Sequence, residues 1–312
     1  MRKSYDYVQV LLKNSAAVFL LLLLFFNCIK TPNFLTANTF WNLVIHATPV
    51  ILVSLAMTFV ISSGGINISV GSVMAISGML LVRLLPQLGL GTALFLAVSA
   101  GIVMGVLTGI IITVFNIQPI IVSLGMMIAG RGAAQMISNG YILRFDSPRL
   151  MSLALSRFNT VPVQVFYVLI SVLIYLFIAK KTTFARYVES LGDNYKASYL
   201  SGVQVTAILT AVYALSGLMS AFAGIITVAR AGAADPDTIG RSLEMTAIAA
   251  VAIGDTKMTG GKARIIGTLL GAFIMQLITT TINMNNIPYE WSLVISTGVI
   301  LLAVFLQNIR EE

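Results

Sequence analysis

Ser62-Ser63-Gly64-Gly65-Ile66-Asn67-Ile68-Ser69-Val70-Gly71-Ser72 sets three glycines, four serines and an asparagine between two strongly apolar stretches. Glycine loses the most conformational freedom in a helix, and serine and asparagine side chains compete for its backbone groups, so this composition predicts a break in helical backbone. Within a bilayer, such a break is tolerated only where protein or a water-filled cavity satisfies the freed N–H and C=O groups. The segment therefore reads in one of two ways: as a tight turn at the inner surface, or as a broken helix lining a polar pathway.

Its surroundings decide the fold class. The 312 residues are 58% hydrophobic and 10% charged, with a mean hydropathy of +0.95, whereas soluble domains carry about 25% charged residues. Lipid is the solvent for such a chain. A transmembrane helix needs about 20 mostly apolar residues, and qualifying runs occur near 14–29, 42–61, 68–85, 91–115, 117–137, 161–179, 206–229, 243–254, 265–282 and 290–307. The expected fold is an all-α integral membrane protein of about ten transmembrane helices, with a broken-helix segment between spans two and three. These spans leave no room for a soluble domain, so residues 1–312 form a single transmembrane domain. The run at 243–254 is short, and the connector Phe115-Asn116-Ile117 is thin.

The net charge of +8 arises from 19 Lys+Arg against 11 Asp+Glu. A basic chain suggests a nucleic-acid partner, but these charges lie in short connectors, where they report topology instead. With the N-terminus inside, Arg2, Lys3, Lys13, Lys180, Lys181, Arg186, Lys196, Lys257, Lys262, Arg264 and Arg310 fall on the inner face. Lys30, Arg83, Arg144, Arg149, Arg157, Arg230 and Arg241 fall outside. The inner excess predicts cytoplasmic termini. The first apolar run is followed by Lys30-Thr31-Pro32-Asn33 without a small-x-small cleavage pattern, so it reads as a retained span.

Several chemistries are excluded. One cysteine (Cys28) and one histidine (His46) cannot build a disulfide or a multi-histidine metal cluster. A phosphate-binding loop ending at Gly261-Lys262 needs Gly at 256 and Ser or Thr at 263, where the chain has Thr256 and Ala263. No H-E-x-x-H or G-x-S-x-G motif occurs, nor a carboxylate pair at acid/base spacing.

Other features carry structural and functional alternatives. Arg131, in Ala129-Gly130-Arg131-Gly132, either snorkels to the interface or serves a pathway or folding role. Glu244 and Glu290 begin helices, where a carboxylate gains from the helix dipole. Gly101, Gly105 and Gly109, and again Gly267 and Gly271, recur at the spacing that lets helices pack closely in lipid. The inner stretch 189–203 predicts a short helix between Gly192 and Gly202, capped by Asp193 or Asn194 and built from Lys196, Ala197, Tyr199 and Leu200. Such a surface helix either fits a partner's groove or is a solvated loop helix. Outside lie two connectors, 138–160 with Arg144, Asp146 and Arg149, and 230–241 with Asp235-Pro236-Asp237.

At these residues the chain resembles the permease subunits of bacterial ATP-binding-cassette importers for monosaccharides, the ribose, xylose, galactose and galactofuranose family. Gly64-Gly65-Ile66-Asn67-Ile68-Ser69-Val70-Gly71 is similar to the family's G-G-I-D-L-S-V-G. Gly192-x-Asn194-x-x-Ala197 with Ser201-Gly202-Val203 resembles its cytoplasmic coupling segment. Ala247 to Gly254, then Gly260-Gly261 and Gly267-Thr268-Leu269-Leu270-Gly271-Ala272, extend the resemblance over essentially the whole chain. Ile117-Gln118-Pro119-Ile120, residues 129–135 and Phe145-Asp146-Ser147-Pro148 look most like galactofuranose-type permeases. Three positions depart: Asn67 replaces an Asp, and Asp255 and Ala263 each replace a Gly.

The resemblance implies a permease, not an enzyme, in the bacterial inner membrane, paired with an identical copy or a paralogue. It implies a sugar pathway and gate involving Gly64, Gly65, Asn67, Ser69, Gly71 and Arg131. It implies coupling to a cytoplasmic ATPase through Gly192, Asn194, Ala197, Leu200 and Gly202, with ATP and Mg bound by that partner and no cofactor in this chain. A periplasmic or lipid-anchored sugar-binding protein would dock at Arg144, Asp146, Arg149, Asp235 and Asp237. Rival expectations are a stand-alone ion-coupled transporter and a passive channel. The scarcity of ionisable residues at span centres disfavours ion coupling.

Overall fold

The computed structural model describes residues 15–288 together with 291, 294, 295, 297, 298 and 301. Most of the expected tenth span lies outside these residues, as do Arg2, Lys3, Lys13, Glu290 and Arg310. In chain order the helices are α1 (Ser15–Lys30), α2 (Ala37–Ser62), α3 (Val70–Val114), α4 (Pro119–Ser138), α5 (Pro148–Leu155), α6 (Val163–Lys181), α7 (Thr183–Asp193), α8 (Tyr195–Leu200), α9 (Val205–Ala231), α10 (Leu243–Ile253) and α11 (Ile265–Met284). Two-residue strands pair antiparallel: β1 (Leu143–Arg144) with β4 (Ala233–Ala234), joining two connectors, and β2 (Arg157–Phe158) with β3 (Val161–Pro162), a hairpin within one connector. The chain is an all-α membrane protein. Among the described residues, α2, α3, α4, α6, α9 and α11 are long and apolar enough to span a bilayer.

Helix α3 has 45 residues, which at 1.5 Å per residue would run about 68 Å if straight, twice the thickness of the hydrocarbon. It is not straight. Gly89 takes a left-handed backbone (φ 74°) shortly after Pro86, dividing α3 into two helical arms. These arms coincide with the separate apolar runs at 68–85 and 91–115.

Helix α2 is the axis of the bundle. It is apolar on every face and buried from Ala47 to Ser62, as expected of a helix enclosed by others. Its buried hydroxyls turn back on the helix: Thr48 and Thr58 donate to the carbonyls of Val44 and Ser54, and Thr58 also meets Thr268 of α11 at 2.8 Å. Phe95 on α3, Ile121 on α4 and Leu173 on α6 are, by contrast, exposed on the periphery.

The tightest seam joins α9 to the second arm of α3. A Cβ on Gly101 would lie 2.6 Å from Ala221 Cβ, one on Gly109 2.6 Å from Thr210 Cα, and one on Gly105 would strike the Tyr213 carbonyl. Gly217 completes the seam from the α9 side. The same device joins α11 to α10, where Gly267 and Gly271 lie against Gly254 and Ala250. In lipid, where no hydrophobic effect drives helices together, such backbone proximity supplies the dispersion contact that holds them. Gly105→Val should therefore destabilise the protein by about 1–3 kcal/mol, read as a lowered thermal midpoint in detergent. Gly125→Val, where nothing lies within 4 Å, should leave that midpoint nearly unchanged.

Candidate functional site: a non-helical segment at the centre of the bundle

Residues 63–69 connect α2 to α3 without helical structure. Helix α2 ends in a six-to-one closure: Gly65 N–H donates to Val60 O at 3.0 Å, and Gly64 N–H donates to Ile61 O at 2.9 Å. Gly64 sits at φ 81°, the left-handed position that this closure reserves for glycine. Asn67 then organises the entry to α3. Its Oδ1 accepts from Ser69 N–H at 3.0 Å and Ser69 Oγ at 2.7 Å, while Nδ2 donates to Ser216 Oγ at 3.0 Å. A backbone N–H can only donate, so the amide orientation follows from its partners. Ser216 lies near the middle of α9, and Ser123 of α4 donates to Ile66 O at 3.3 Å.

Asn67 and Ser69 are buried, at 2% and 1% exposure, so both side chains face protein within this chain. The family's Asp would cap Ser69 equally well but would bury a charge. The amide caps while remaining neutral, and its extra donor finds Ser216. Two hydroxyls nearby are left over: those of Ser62 and Tyr213 are buried with no partner among the described residues, and that of Tyr213 lies 2.5 Å from where a Cβ on Gly65 would stand.

Arg131 reaches across from α4 to the outer connector. Its Nη1 donates to Pro236 O at 2.7 Å and Ile239 O at 2.9 Å, and Gln135 Nε2 one turn later donates to Asp237 Oδ1 at 2.8 Å. This clamp holds the connector over the first turn of α3, where a Cβ on Gly71 would collide with Gly240 O and lie 2.8 Å from Glu244 Oε2. Asp235 spends its carboxylate locally, accepting from Asp237 N–H and Thr238 Oγ1. Pairing of β1 with β4 brings Arg144 beside Ala233, so the two outer connectors form one surface on which Arg144, Asp146, Arg149 and Asp237 are exposed.

The opposite end of the segment meets the connectors that hold α7, α8 and residues 254–264. The short helix that sequence spacing predicts between Gly192 and Gly202 is present as α8. Gly192 belongs to the last turn of the preceding helix, α7. Asn194 caps α8 through Oδ1, accepting from Ala197 N–H at 2.9 Å, and Gly202 follows at φ 84°. Ser198 Oγ bonds Ser190 O at 2.8 Å, tying α8 back onto α7. Gly192 itself is a crossing point: a Cβ there would strike Ser62 O and lie 2.5 Å from Gly261 N and 3.0 Å from Gly260 Cα. Gly261 N–H donates to the same Ser62 carbonyl at 2.9 Å, and Glu189 Oε1 accepts from Ala263 N–H at 3.0 Å.

The Gly-to-Asp departure has a local cost here. Asp255 has φ 65°, a left-handed position more readily taken by glycine. Its carboxylate pairs with Arg264 at 2.8 Å, bracing the turn.

One further feature carries no sequence motif. A cavity of about 490 Å³ opens between α2, α9 and α11, at the end of the bundle nearest the 232–242 connector. Its signal was present in α11, where Gln276, Thr279, Thr280 and Asn283 recur at helical spacing.

The class defined by these observations is a multi-pass helical membrane protein whose axis helix ends in a non-helical segment, wired on one side to a surface helix pair and on the other to a clamped outer loop. The chain belongs to the branched-chain amino acid transport system / permease component family, which matches residues 39–304. It is 34% identical over 291 residues to the galactofuranose transporter permease protein YtfT of Escherichia coli (strain K12), covering 88% of this chain and 85% of that one. Against the ribose import permease protein RbsC of the same strain it is 33% identical over 306 residues, covering 96% and 95%. The L-arabinose ABC transporter permease protein AraH of Azospirillum brasilense is 31% identical over 309 residues, covering 98% and 90%. No solved structure matches the chain.

Asn67→Leu removes an acceptor and a donor from buried partners and should cost about 1–3 kcal/mol. Scanning calorimetry in detergent should show a larger fall for it than for Ser216→Ala, which loses one bond.

Proposed function

We propose that this chain is the transmembrane permease subunit of an ATP-driven monosaccharide importer in the bacterial inner membrane. The substrate class comes from relatives named for galactofuranose, ribose and arabinose, which the chain matches over most of its length. The observation that carries the mechanism is the crossing at Gly192, where the surface helix pair α7–α8 bears directly on Ser62 and thus on the segment 63–69.

The proposed topology has ten spans: α1, α2, both arms of α3, α4, α6, α9, α10, α11 and the apolar run at 290–307, with both termini cytoplasmic. In that frame Ser62 lies near the inner surface. Asn67, bonded to the middle of α9, lies near mid-membrane, as expected of a broken helix. Protein groups meet part of the segment's backbone: Gly64 and Gly65 N–H close on α2, Ser69 N–H bonds Asn67, and Ile66 O accepts from Ser123. An unpartnered Tyr213 hydroxyl beside Gly65 supports a segment with a second arrangement, since an unsatisfied buried group lowers the cost of leaving the first.

Tyr199 and Leu200 are 64% and 75% exposed at the tip of α8, which suits insertion into a groove of a cytoplasmic ATPase that binds ATP and Mg. Asn194, Ala197 and Gly202 shape and end that helix. Closure of two such ATPases on ATP pushes α7–α8, and the push reaches Ser62 through Gly192. The segment, with Gly64, Gly65, Asn67, Ser69 and Gly71, shifts against α9, and the Arg131 clamp links that shift to the outer loop. A sugar-binding protein docks on the surface around Arg144, Asp146, Arg149, Asp235 and Asp237. A second permease, identical or paralogous, completes the assembly. Nucleotide and binding protein move the equilibrium only as far as each favours one state over the other. No bond in the sugar changes.

Reconstitution with a cytoplasmic ATPase and a sugar-binding protein of the same importer family tests the proposal. Gly192→Val should retain membrane insertion and ATPase association but lose most sugar-stimulated hydrolysis and uptake. Unimpaired coupling in that variant would remove the joint from the mechanism, and sugar uptake by the chain alone in liposomes would refute an ATP-driven importer. Reversing charge with Arg144→Glu and Arg149→Glu together should weaken stimulation by the binding protein while leaving basal hydrolysis unchanged.

A further inference from the structure

A cleft lies at the other end of the bundle, beside the turn braced by Asp255 and Arg264. Its volume is about 410 Å³, within the range of pockets that hold small molecules. Helices α1 and α6 both pack on α11, and the cleft separates them. Ala16 and Ala17 line it from α1, Leu176 and Ala179 from α6, and Ile266 and Leu270 from α11. Toward the middle of the two outer helices, Leu21, Leu22 and Phe25 of α1 and Leu173 and Phe177 of α6 are exposed, so the apolar surface continues beyond the cleft itself.

The mouth of this slot is charged. Lys180, Lys262 and Arg264 line it together with Glu189 and Asp255. Both carboxylates are engaged: Asp255 pairs with Arg264 at 2.8 Å, and Glu189 Oε1 accepts from Ala263 N–H at 3.0 Å. That leaves Lys180 and Lys262, each exposed and, among the described residues, without an ion pair. Snorkelling accounts for a lysine at the end of a membrane helix. It does not account for the apolar slot beside it, nor for a second lysine brought to the same mouth by a different element, the 254–264 connector.

Two cations over an apolar slot match a molecule with an anionic head and a hydrocarbon tail. Basic pockets between transmembrane helices on the cytoplasmic side bind anionic lipid headgroups. A soluble phosphate would use the lysines but leave the slot unfilled, and a zwitterionic lipid would fill the slot but set an ammonium group near the lysines. We infer that this cleft is a site for one anionic phospholipid of the inner leaflet, with its phosphate held by Lys180 and Lys262 and an acyl chain lying between α1 and α6. The choice of leaflet rests on the topology proposed above, whereas the binding does not depend on what the chain transports. Glu189 and residues 262–264, which line the cleft, adjoin the crossing at Gly192, so the lipid braces the connector on which that crossing is built.

Native mass spectrometry of the full chain in detergent, titrated with phosphatidylglycerol or with phosphatidylcholine of the same acyl chains, reads the site. The wild type should retain one phosphatidylglycerol in preference to phosphatidylcholine, and Lys180→Gln/Lys262→Gln should cut that preference about tenfold. Lys180→Arg/Lys262→Arg, which keeps both charges, should retain it, separating lost charge from misfolding. Phosphatidylglycerol should also raise the thermal midpoint of the wild type but not that of the Gln variant, as a ligand of the folded state does. An equal loss of preference in Lys181→Gln/Arg186→Gln, two exposed cations outside the cleft, would reduce the effect to diffuse attraction and overturn the site. Equal retention of the two lipids by the wild type would overturn it as well. Displacement of phosphatidylglycerol by millimolar glycerol 1-phosphate would assign the lysines to a soluble phosphate instead. Failure of the importer reading would show separately, as sugar uptake that needs no ATPase in a chain whose lipid preference is intact.

Discussion

Backbone that leaves the helix inside a membrane bundle must find every hydrogen bond from protein, because no bulk water is present to supply one. Residues 63–69 leave the helix between α2 and α3, and the bonds they do make connect the fold. Gly64 and Gly65 close back on α2, Ile66 is met by α4, Asn67 caps α3 and bonds α9, and Ser62 accepts from the connector before α11. Each partner belongs to a different element. The segment is therefore a junction bonded to several helices at once.

Neutral groups perform this work where charge would be costly. Asn67 caps as an aspartate would, without a buried carboxylate to desolvate. Arg131 is placed against two backbone carbonyls, which satisfy guanidinium donors as neutral groups. The remaining ionised residues gather at the two ends of the bundle, where water or a partner protein can reach them. This distribution suits a machine that moves a neutral solute and draws its energy from outside the chain.

Much of this was legible from residue order. Apolar runs separated by charged connectors predicted the helices, and the bend at Gly89 divides α3 where the runs at 68–85 and 91–115 part. Glycines at spacings of four marked the α3–α9 and α10–α11 seams. The short helix between Gly192 and Gly202 was legible too, and is α8; less legible was the role of Gly192 itself, because nothing local shows that it ends α7 at a close crossing with Ser62 and Gly260. The polar stripe on α11 could have been found from its period. Its importance could not, since the same pattern serves equally for helix packing, and only the facing residues of α2 and α9 turn it into a cavity.

Sequence by itself determined that lipid surrounds this chain, that helices form, and that one polar segment must break them, because composition and period act locally and need no neighbours. Tertiary structure alone decided what the break is bonded to. The partners of Asn67, Arg131 and Gly192 lie 149, 105 and more than sixty positions away along the chain, and a hydrogen bond or a steric crossing exists only when folding brings both groups within a few ångströms.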